Sequence, residues 1–489
     1  MTLPTSDILR PSWTCAPDRP EPPASRLLPR WLPWVLLGAG VLFKLRLLAT
    51  SQGIADGDEA VEGLMARHLL LFGEHAIYPW GVRYGAGAGL EVQLAAILFK
   101  WLGDSSFTLK STGLIFWLGC LYLLVSASAS RYGAWTSALA GMLYAAAPQS
   151  AQWSFKVAGG HQVAVLLSLL LFFTWARKWS ANWIVLLAPL AAIAHPIALP
   201  FAAGFASASI ASAESPARWR LFALLVLSSA LCALLLWPRE QSVHDPAAFA
   251  PLQILRAFPS LLLALESPNL NSAAAPAGFA LAAALPWLGA SLGAALWCAR
   301  RERALAFLFL CAATTAFLVK PGELAPRHLL LLWPLGALAI ARLLSTLGAR
   351  WQALLGALLV ISGLSVQLLE SRSPAFFGPG PQRFGVDREN VRGLVRELES
   401  HGVREVCSAD PMLQWNLMFE SHESVIARSR NPLDRRPDFA HQVDEARAAG
   451  LPVAMVVPAP HGPSDTLRRY QIIFSPEARQ LDAVCPASH

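Results

Sequence analysis

The chain has 489 residues, 55% of them hydrophobic and only 15% charged, with 18 tryptophans. Soluble globular domains carry roughly 25% charged residues, and repeated apolar runs here reach the roughly 20 residues that cross a bilayer core; the composition excludes an ordinary soluble protein and indicates a polytopic membrane protein. The net charge of +7 is spread singly and in pairs between those runs, so it reports topology and not the clustered patch of a nucleic-acid binder.

Residues 1–30 are rich in Pro and Arg and have no apolar core, so they read as a cytoplasmic tail and not as a cleaved signal. The first apolar run, 31–49, therefore stays as a span. Further candidate spans are 107–130, 133–149, 160–176, 182–195, 197–213, 219–237, 278–298, 304–320, 328–346 and 351–369, about eleven in all. At His195-Pro196 the proline either kinks one long helix or separates two short ones. With the N-terminus inside, the inner loops carry Arg131, Arg177, Lys178, Arg218, Arg220, Arg300, Arg301, Arg303, Arg342 and Arg350, while the outer loops hold fewer, such as Arg83, Lys156, Arg239, Lys320 and Arg327. This asymmetry places the long loop 50–106 and everything after 370 away from the cytoplasm.

Loop 50–106 opens on GIADGDEAVEGLMARHLLLFGE, which puts Asp56, Asp58 and Glu59 within four residues. Val61, Leu64, Met65, Leu69 and Phe72 recur at steps of three and four before Gly73, the pattern of an amphipathic helix lying along the membrane surface. Asp56 and Glu59 have the D-x-x-E spacing of a capping box, which accounts for both without a functional role. Asp58 is not needed by that box. A partly desolvated carboxylate at a membrane boundary suits removal of a proton from a hydroxyl, and the same cluster could bind a divalent ion, although carboxylates without His or Cys are a weak metal signal. Downstream, Trp80 and Tyr84 offer surfaces for stacking on a sugar or for the interfacial aromatic belt.

The tail, 370–489, is rich in Arg, Asp, Glu and Pro and has no run long enough to span. DRENVRGLVRELESHG has helical spacing, and VREVCSA and LPVAMVVP read as short strands, which together predict a small α/β domain. Of the seven cysteines none forms a CxxC pair. Cys120, Cys232, Cys298 and Cys311 belong to apolar runs; Cys407 and Cys485 lie in the tail and are either a disulfide or two unpaired thiols in neighbouring strands.

The order of these segments resembles the GT-C superfamily of polyprenyl-phosphate-sugar-dependent membrane glycosyltransferases, in the branch that contains protein O-mannosyltransferases and lipid A aminoarabinose transferases. The resemblance rests on DGDEA, GLMARHLLLFGE and YPWGVRYGAGAGLEVQLAAILFKWLG in the first outer loop. It extends through APQSAQWSFKVAGGHQ, AAIAHPIALPF and APRHLLLLWPLGALAIA to the tail stretch that begins GVREVCSADP, and covers most of the chain from about residue 31. It implies a GT-C-like domain over 31–369, a soluble extracytoplasmic domain over 370–489, and transfer of a sugar from a polyprenyl-phosphate carrier to an acceptor hydroxyl at a bacterial inner membrane. By motif match the catalytic carboxylate falls on Asp58, with Glu59 beside it and Asp56 close by.

The lipid phosphate would be held by Lys156 and Arg327, both outside at span ends, where snorkelling or ordinary loop charge explains them equally well. His161 and His328 rank after them. Arg83 stands where the resemblance leads one to expect a neutral residue, and is either an additional phosphate contact or the mark of a changed substrate; the late motif reads Arg-His in place of Arg-Tyr. No obligatory metal or other cofactor is implied, a divalent ion being used elsewhere in the superfamily. A transporter or flippase of lipid-linked sugars is the competing reading; it predicts charge along the middle of several spans and two similar halves, whereas Lys44 and Arg46 are the clearest charged residues within the spans. A subunit that kept the fold and lost the chemistry is a third reading.

Overall fold

The computed structural model describes residues 31–51, 55–82, 85–148, 153–236, 277–314, 326–372, 375–376, 385–429, 435–460, 467–474 and 476–485. Helix α1 (Leu32–Ser51) leads into the long loop 50–106, which is itself helical: α2 (Gly57–Phe72) and α3 (Ala88–Leu102). There follow α4 (Ser106–Tyr132), α5 (Ala134–Ala146), α6 (His161–Ala176), α7 (Ala181–Ala194), α8 (Leu199–Ala211) and α9 (Ser215–Leu236). Beyond them lie α10 (Ala277–Arg301), α11 (Arg303–Ala313), α12 (Leu332–Leu344) and α13 (Ala349–Arg372). Apart from α2 and α3, each coincides with an expected apolar run. Ser106–Tyr132 and Arg350–Leu368 are both long and apolar enough to cross a membrane by length and hydropathy, and the other apolar helices among the described residues are shorter.

At His195-Pro196 two helices are separated, α7 ending at Ala194 and α8 starting at Leu199 after a 3-10 turn. The His195 ring caps that turn by accepting the N–H of Ile197 at 3.2 Å. Lys44 of α1 is fully buried; its ammonium donates to Gln367 of α13 at 2.6 Å, and the Gln367 amide donates to the carbonyls of Ala145 and Ala147 at the end of α5. The charge flagged in the first span thus ties three helices together.

The ends of the bundle differ in chemistry. At one end Arg131 lies 3.9 Å from the ring centre of Trp175, and Arg342 pairs with Glu302 at 2.6 Å and covers Tyr132. Lys110, roughly 30 Å away along α4 by helix rise, belongs to the other end, where the α2–α3 loop and the tail meet.

The tail folds around a four-stranded sheet ordered β4-β3-β5-β7. The short strands β1 (Ala375–Phe376) and β2 (Gly385–Asp387), with β6 (Leu467–Arg468), make a separate ribbon. The main sheet is built from β3 (Glu405–Ser408), β4 (Ile426–Ser429), β5 (Val453–Pro458) and β7 (Tyr470–Ile473), with β3 parallel to both β4 and β5 and β7 antiparallel to β5. Helices α14 (Arg388–Ser400), α15 (Leu413–Glu420), α16 (Pro437–Ala448) and α17 (Ala478–Val484) complete it. Cys407 and Cys485 are buried, unbonded thiols. Contact with Cys407 and burial raise the Cys485 thiol well above its ordinary value, and Cys485 follows α17 instead of lying in a strand.

Helix α2 is not a surface helix. Residues Glu59 to His68 are all buried, because α3 lies on one side and α15 of the tail on another. Gly63 allows that docking: a Cβ there would stand 2.5 Å from the Phe419 ring. Phe72, the last residue of the expected apolar face, is 64% exposed together with Leu70 and Leu71. With Leu90, Ile97 and Trp101 of α3 also exposed, the apolar surface suited to lipid belongs to α3 and the last turn of α2.

Candidate active site

The site is built on the first two turns of α2. Asp56 is the N-cap: its carboxylate accepts the N–H of Glu59 at 3.0 Å while Glu59 accepts the N–H of Asp56 at 3.0 Å, so the expected capping box is formed. Acids at 56, 59 and 62 advance about 300° per three residues and stay on one side of the helix. That side faces the segment 153–160, which leads into α6. Lys156 pairs with Asp56, the N–H of Val157 reaches Glu59 at 3.2 Å, and the N–H of Gly159 reaches Glu62. The segment is thus fastened to a row of carboxylates, rung by rung.

Burial and charge separate the members of this row. Burial pushes the Asp56 carboxyl up, but the Lys156 ammonium, the Glu59 N–H and the charge of Lys110 together hold it below the usual aspartate value. Glu59 takes Lys110 on both oxygens, at 2.8 and 2.7 Å, besides the two backbone N–H groups. Four hydrogen bonds saturate it and only 3% of its side chain is exposed. Glu59, expected beside Asp58 as a second catalytic carboxylate, is thus one of the bonded carboxylates of the row.

Asp58 stands apart. Its side chain is 48% exposed and pairs at 2.6 Å with Arg435 of the tail. The backbone of Arg435 lies against Gly81, where a Cβ would meet its Cα at 2.6 Å. A chain segment almost 380 positions away therefore supplies the counter-ion of the candidate base.

Further along α2 the tail is bonded to the loop by a second network. Arg67 pairs with Asp104 and donates to the Phe419 carbonyl at 3.0 Å. His68 faces Glu74 at 3.1 Å and Glu423 at 3.0 Å, and Arg436 binds Glu74 through both terminal nitrogens. A cleft of about 350 Å³ opens beside Lys110, where the turn between α3 and α4 meets Arg392 and Glu420 of the tail.

Of the basic candidates, Lys156 joins the carboxylate row directly. Its ammonium is 5.0 Å from the Trp153 ring centre, and the His161 ring lies 5.3 Å from the same tryptophan. His161 in turn packs on His195 at 3.8 Å, and Arg327 and His328 act electrostatically on both imidazoles. The structure therefore gathers His161, His195, Arg327 and His328 around the start of α6, one aromatic ring from Lys156. His161 Nδ1 bonds the Ala158 carbonyl at 2.6 Å, while its Nε2 is buried without a hydrogen-bond partner. Arg83 and Tyr84 lie outside the described residues.

Four residues of this site carry no motif in the sequence reading: Glu62, Glu91, Lys110 and Arg435. The three-residue spacing 56, 59, 62 is a signal for the first, and an isolated acid or cation at the edge of an apolar helix is one for Glu91 and Lys110. Arg435 has no such signal, since only the docking of the tail brings it to Asp58. Among the described residues no group of three or more His, Cys, Asp or Glu side chains is arranged to hold a metal ion.

No protein-family model matches the chain, and no curated protein matches it. Two solved structures share its fold over most of their length. The crystal structure of ArnT from Cupriavidus metallidurans in the apo state superposes with a TM-score of 0.55 at 13% identity, covering 86% of this chain and 92% of the other. That of ArnT from the same organism bound to undecaprenyl phosphate gives 0.55 at 12% identity, covering 88% and 93%. The chain thus shares the fold of these ArnT structures.

Proposed function

We propose that this chain is a polyprenyl-phosphate-sugar-dependent glycosyltransferase of the bacterial inner membrane, with the α2 site and the tail domain on the extracytoplasmic side. The observation that carries the proposal is the state of Asp58: in a fold that in ArnT binds undecaprenyl phosphate, it is the half-exposed carboxylate beside a row of buried, bonded ones. Its exposure leaves it accessible to an acceptor hydroxyl. In the proposed reaction Asp58 takes the proton of that hydroxyl, the acceptor oxygen attacks the anomeric carbon, and the bond from that carbon to the phosphate oxygen breaks with inversion. The electron pair leaves on the lipid phosphate, where Lys156 and Arg327, with His161 and His328 nearby, stabilise it in a partly dry site. Each of Asp56, Glu59 and Asp58 already faces its own cation, Lys156, Lys110 or Arg435; this supports a reaction without an obligatory metal, a divalent ion remaining the alternative to test by chelation. The acceptor is any hydroxyl-bearing lipid, glycan or protein that reaches the site.

The test is sugar transfer by the purified protein in lipid from a panel of radiolabelled polyprenyl-phosphate sugars, alongside Asp58→Asn. Loss of a positioned base is expected to lower turnover by about 10³-fold, with the variant still folded. Equal turnover of the two proteins would reject Asp58 as the base. Movement of lipid-linked sugar across vesicles with no transfer or hydrolysis of any donor would replace the enzyme with a flippase.

A further inference from the structure

Glu62 and Glu91 are used by no step above, yet they are 1% and 0% exposed. They come from different helices, α2 and α3, and their carboxyl groups meet beneath the segment 153–160. Glu62 accepts the N–H of Gly159, and Glu91 accepts that of Gly160 at 3.1 Å. These glycines are consecutive and both left-handed, with φ of 61° and 79°, a conformation that glycine adopts without strain. A Cβ on Gly160 would also stand 2.7 Å from the Ala194 carbonyl oxygen. One oxygen of each acid, Glu62 Oε2 and Glu91 Oε1, is buried with no hydrogen-bond partner among the described residues, and the two carboxyl groups lie close enough to interact with each other.

Two buried carboxylates in contact cannot both be ionised without a cation between them. We infer that Glu62 and Glu91 share one proton, and that this acid pair is a positioning device that fixes the Gly159–Gly160 turn and so sets Lys156 and His161 for the phosphate of the donor. Glu62 is the partner that holds the proton and donates it to Glu91. The asymmetry has a structural cause. Glu91 lies at the N-terminus of α6, where the N–H groups of Gly160, Gln162 and Val163 and the helix dipole favour a negative charge. Glu62 has one N–H, and Asp58 and Glu91 both oppose its ionisation.

The pair closes a mechanical link. Its proton joins α2 to α3, its two outer hydrogen bonds hold the turn, and the turn lies between Lys156 on one side and His161 on the other. Loss of the proton sets two negative charges against each other and frees the turn from at least one anchor. Burial and the contact with Glu91 raise Glu62 well above the usual glutamate value, and burial raises Glu91 to about 7. Groups with raised values in the folded state contribute fully below the unfolded glutamate value of about 4.3, and that contribution is lost as pH rises through the folded values. Among the described residues, the other titratable or charged groups around the pair are Asp56, Asp58 and Glu59 of α2, Lys110 of α4, Lys156 and His161 of the segment, His195 of the α7 end, Arg327 and His328 behind it, and Arg435 through Asp58.

The inference adds a role to the transferase site and in its functional part rests on that reading, so the experiment has an arm that needs no activity. Infrared difference spectra of the lipid-embedded protein should show a protonated-carboxyl C=O band at pH 7 that is absent from Glu62→Gln and retained in Asp58→Asn. Glu62→Gln keeps a donor to Glu91 but has no proton to lose, so its melting temperature should change less between pH 6 and 9 than that of the wild type. In the transfer assay the donor KM of the wild type should rise toward alkaline pH, by at most about tenfold per unit for one proton, with a flatter kcat; Glu62→Gln should keep a low KM across the range. A missing band, or a melting-temperature profile that Glu62→Gln leaves unchanged, overturns the shared proton. A present band with an identical KM profile in both proteins overturns the positioning role. A present band in a protein that transfers no sugar removes the transferase reading and leaves the pair standing.

Discussion

The two sides of helix α2 carry the same residue types and use them differently. On the side facing the segment 153–160, Glu59 and Glu62 are buried and Asp56 is mostly covered, and all three are bonded within the chain, to Lys156, Lys110, Val157 and Gly159. On the side facing the tail, Asp58 is half exposed and held by one arginine. A buried carboxylate with its lone pairs filled is part of the scaffold, because breaking it leaves an uncompensated charge. A carboxylate with a single, partly hydrated partner can exchange that partner for substrate at small cost. The difference extends the one that the capping-box spacing already draws between Asp58 and its neighbours, and it can be broken from either side.

The largest stability effect is expected on the buried side. Asp56→Ala removes an N-cap worth about 1 kcal/mol and takes the carboxylate from the Lys156 ammonium, which is 12% exposed, a loss of at most about 3–5 kcal/mol, the range for a broken buried pair. Thermal unfolding in detergent or nanodiscs measures it, and Asp56→Ala with Lys156→Met should recover part of the loss because the cation is then removed together with its partner. The same group sets an acid limb. Its folded value is depressed, so its contribution is present above the unfolded aspartate value of about 3.9 and is lost as pH falls through the lower folded value. Asp56→Asn should flatten that limb. If Asp56→Ala melts like the wild type and Asp58→Asn does not, the assignment of scaffold and reactive carboxylate is reversed.

A middle effect tests how the tail is docked. Gly63→Val places a branched side chain where even a Cβ would be 2.5 Å from the Phe419 ring, and overpacking of this kind costs about 1–3 kcal/mol. Arg67, His68 and Arg436 should retain the domain contact, so protease sensitivity is expected to rise at the tail while the helical bundle stays intact. An unchanged digestion pattern would mean that α2 and α15 are not in contact in the membrane.

The sequence carries these features unevenly. Apolar runs locate the bundle helices because each must present hydrocarbon over its length, and His195-Pro196 marks a real break, since proline cannot continue the hydrogen-bond ladder. The capping box of Asp56 and Glu59 is also legible, because both halves of it lie within four residues. The course of α2 is not. Its amphipathic pattern fits a helix on a membrane as well as one covered by another domain, and only α15 decides between them. Glu62–Glu91, Glu59–Lys110 and Asp58–Arg435 are contacts across 29, 51 and 377 positions. No local spacing encodes them. Lys156 could be nominated from its place at a span end, yet its partner Asp56 is visible only in the folded chain.

The smallest stability effect is expected at Arg435. The Asp58 end of its ion pair is 48% exposed, so Arg435→Ala should change stability by less than about 1 kcal/mol, within the range of surface pairs. Its effect on function should be larger than its effect on stability. With Arg435 present, the Asp58 carboxylate is held in one position by the 2.6 Å ion pair; without it, the same carboxylate gains freedom. The expected result is a severalfold loss in kcat/KM for sugar transfer. Arg435→Lys keeps the charge but not the planar fork and should recover only part of that rate. Full recovery in Arg435→Lys would mean that charge alone, and not the fork that positions Asp58, is what the arginine supplies. A large loss of stability would place Asp58 with the scaffold residues, and the contrast between the two sides of α2 would no longer hold.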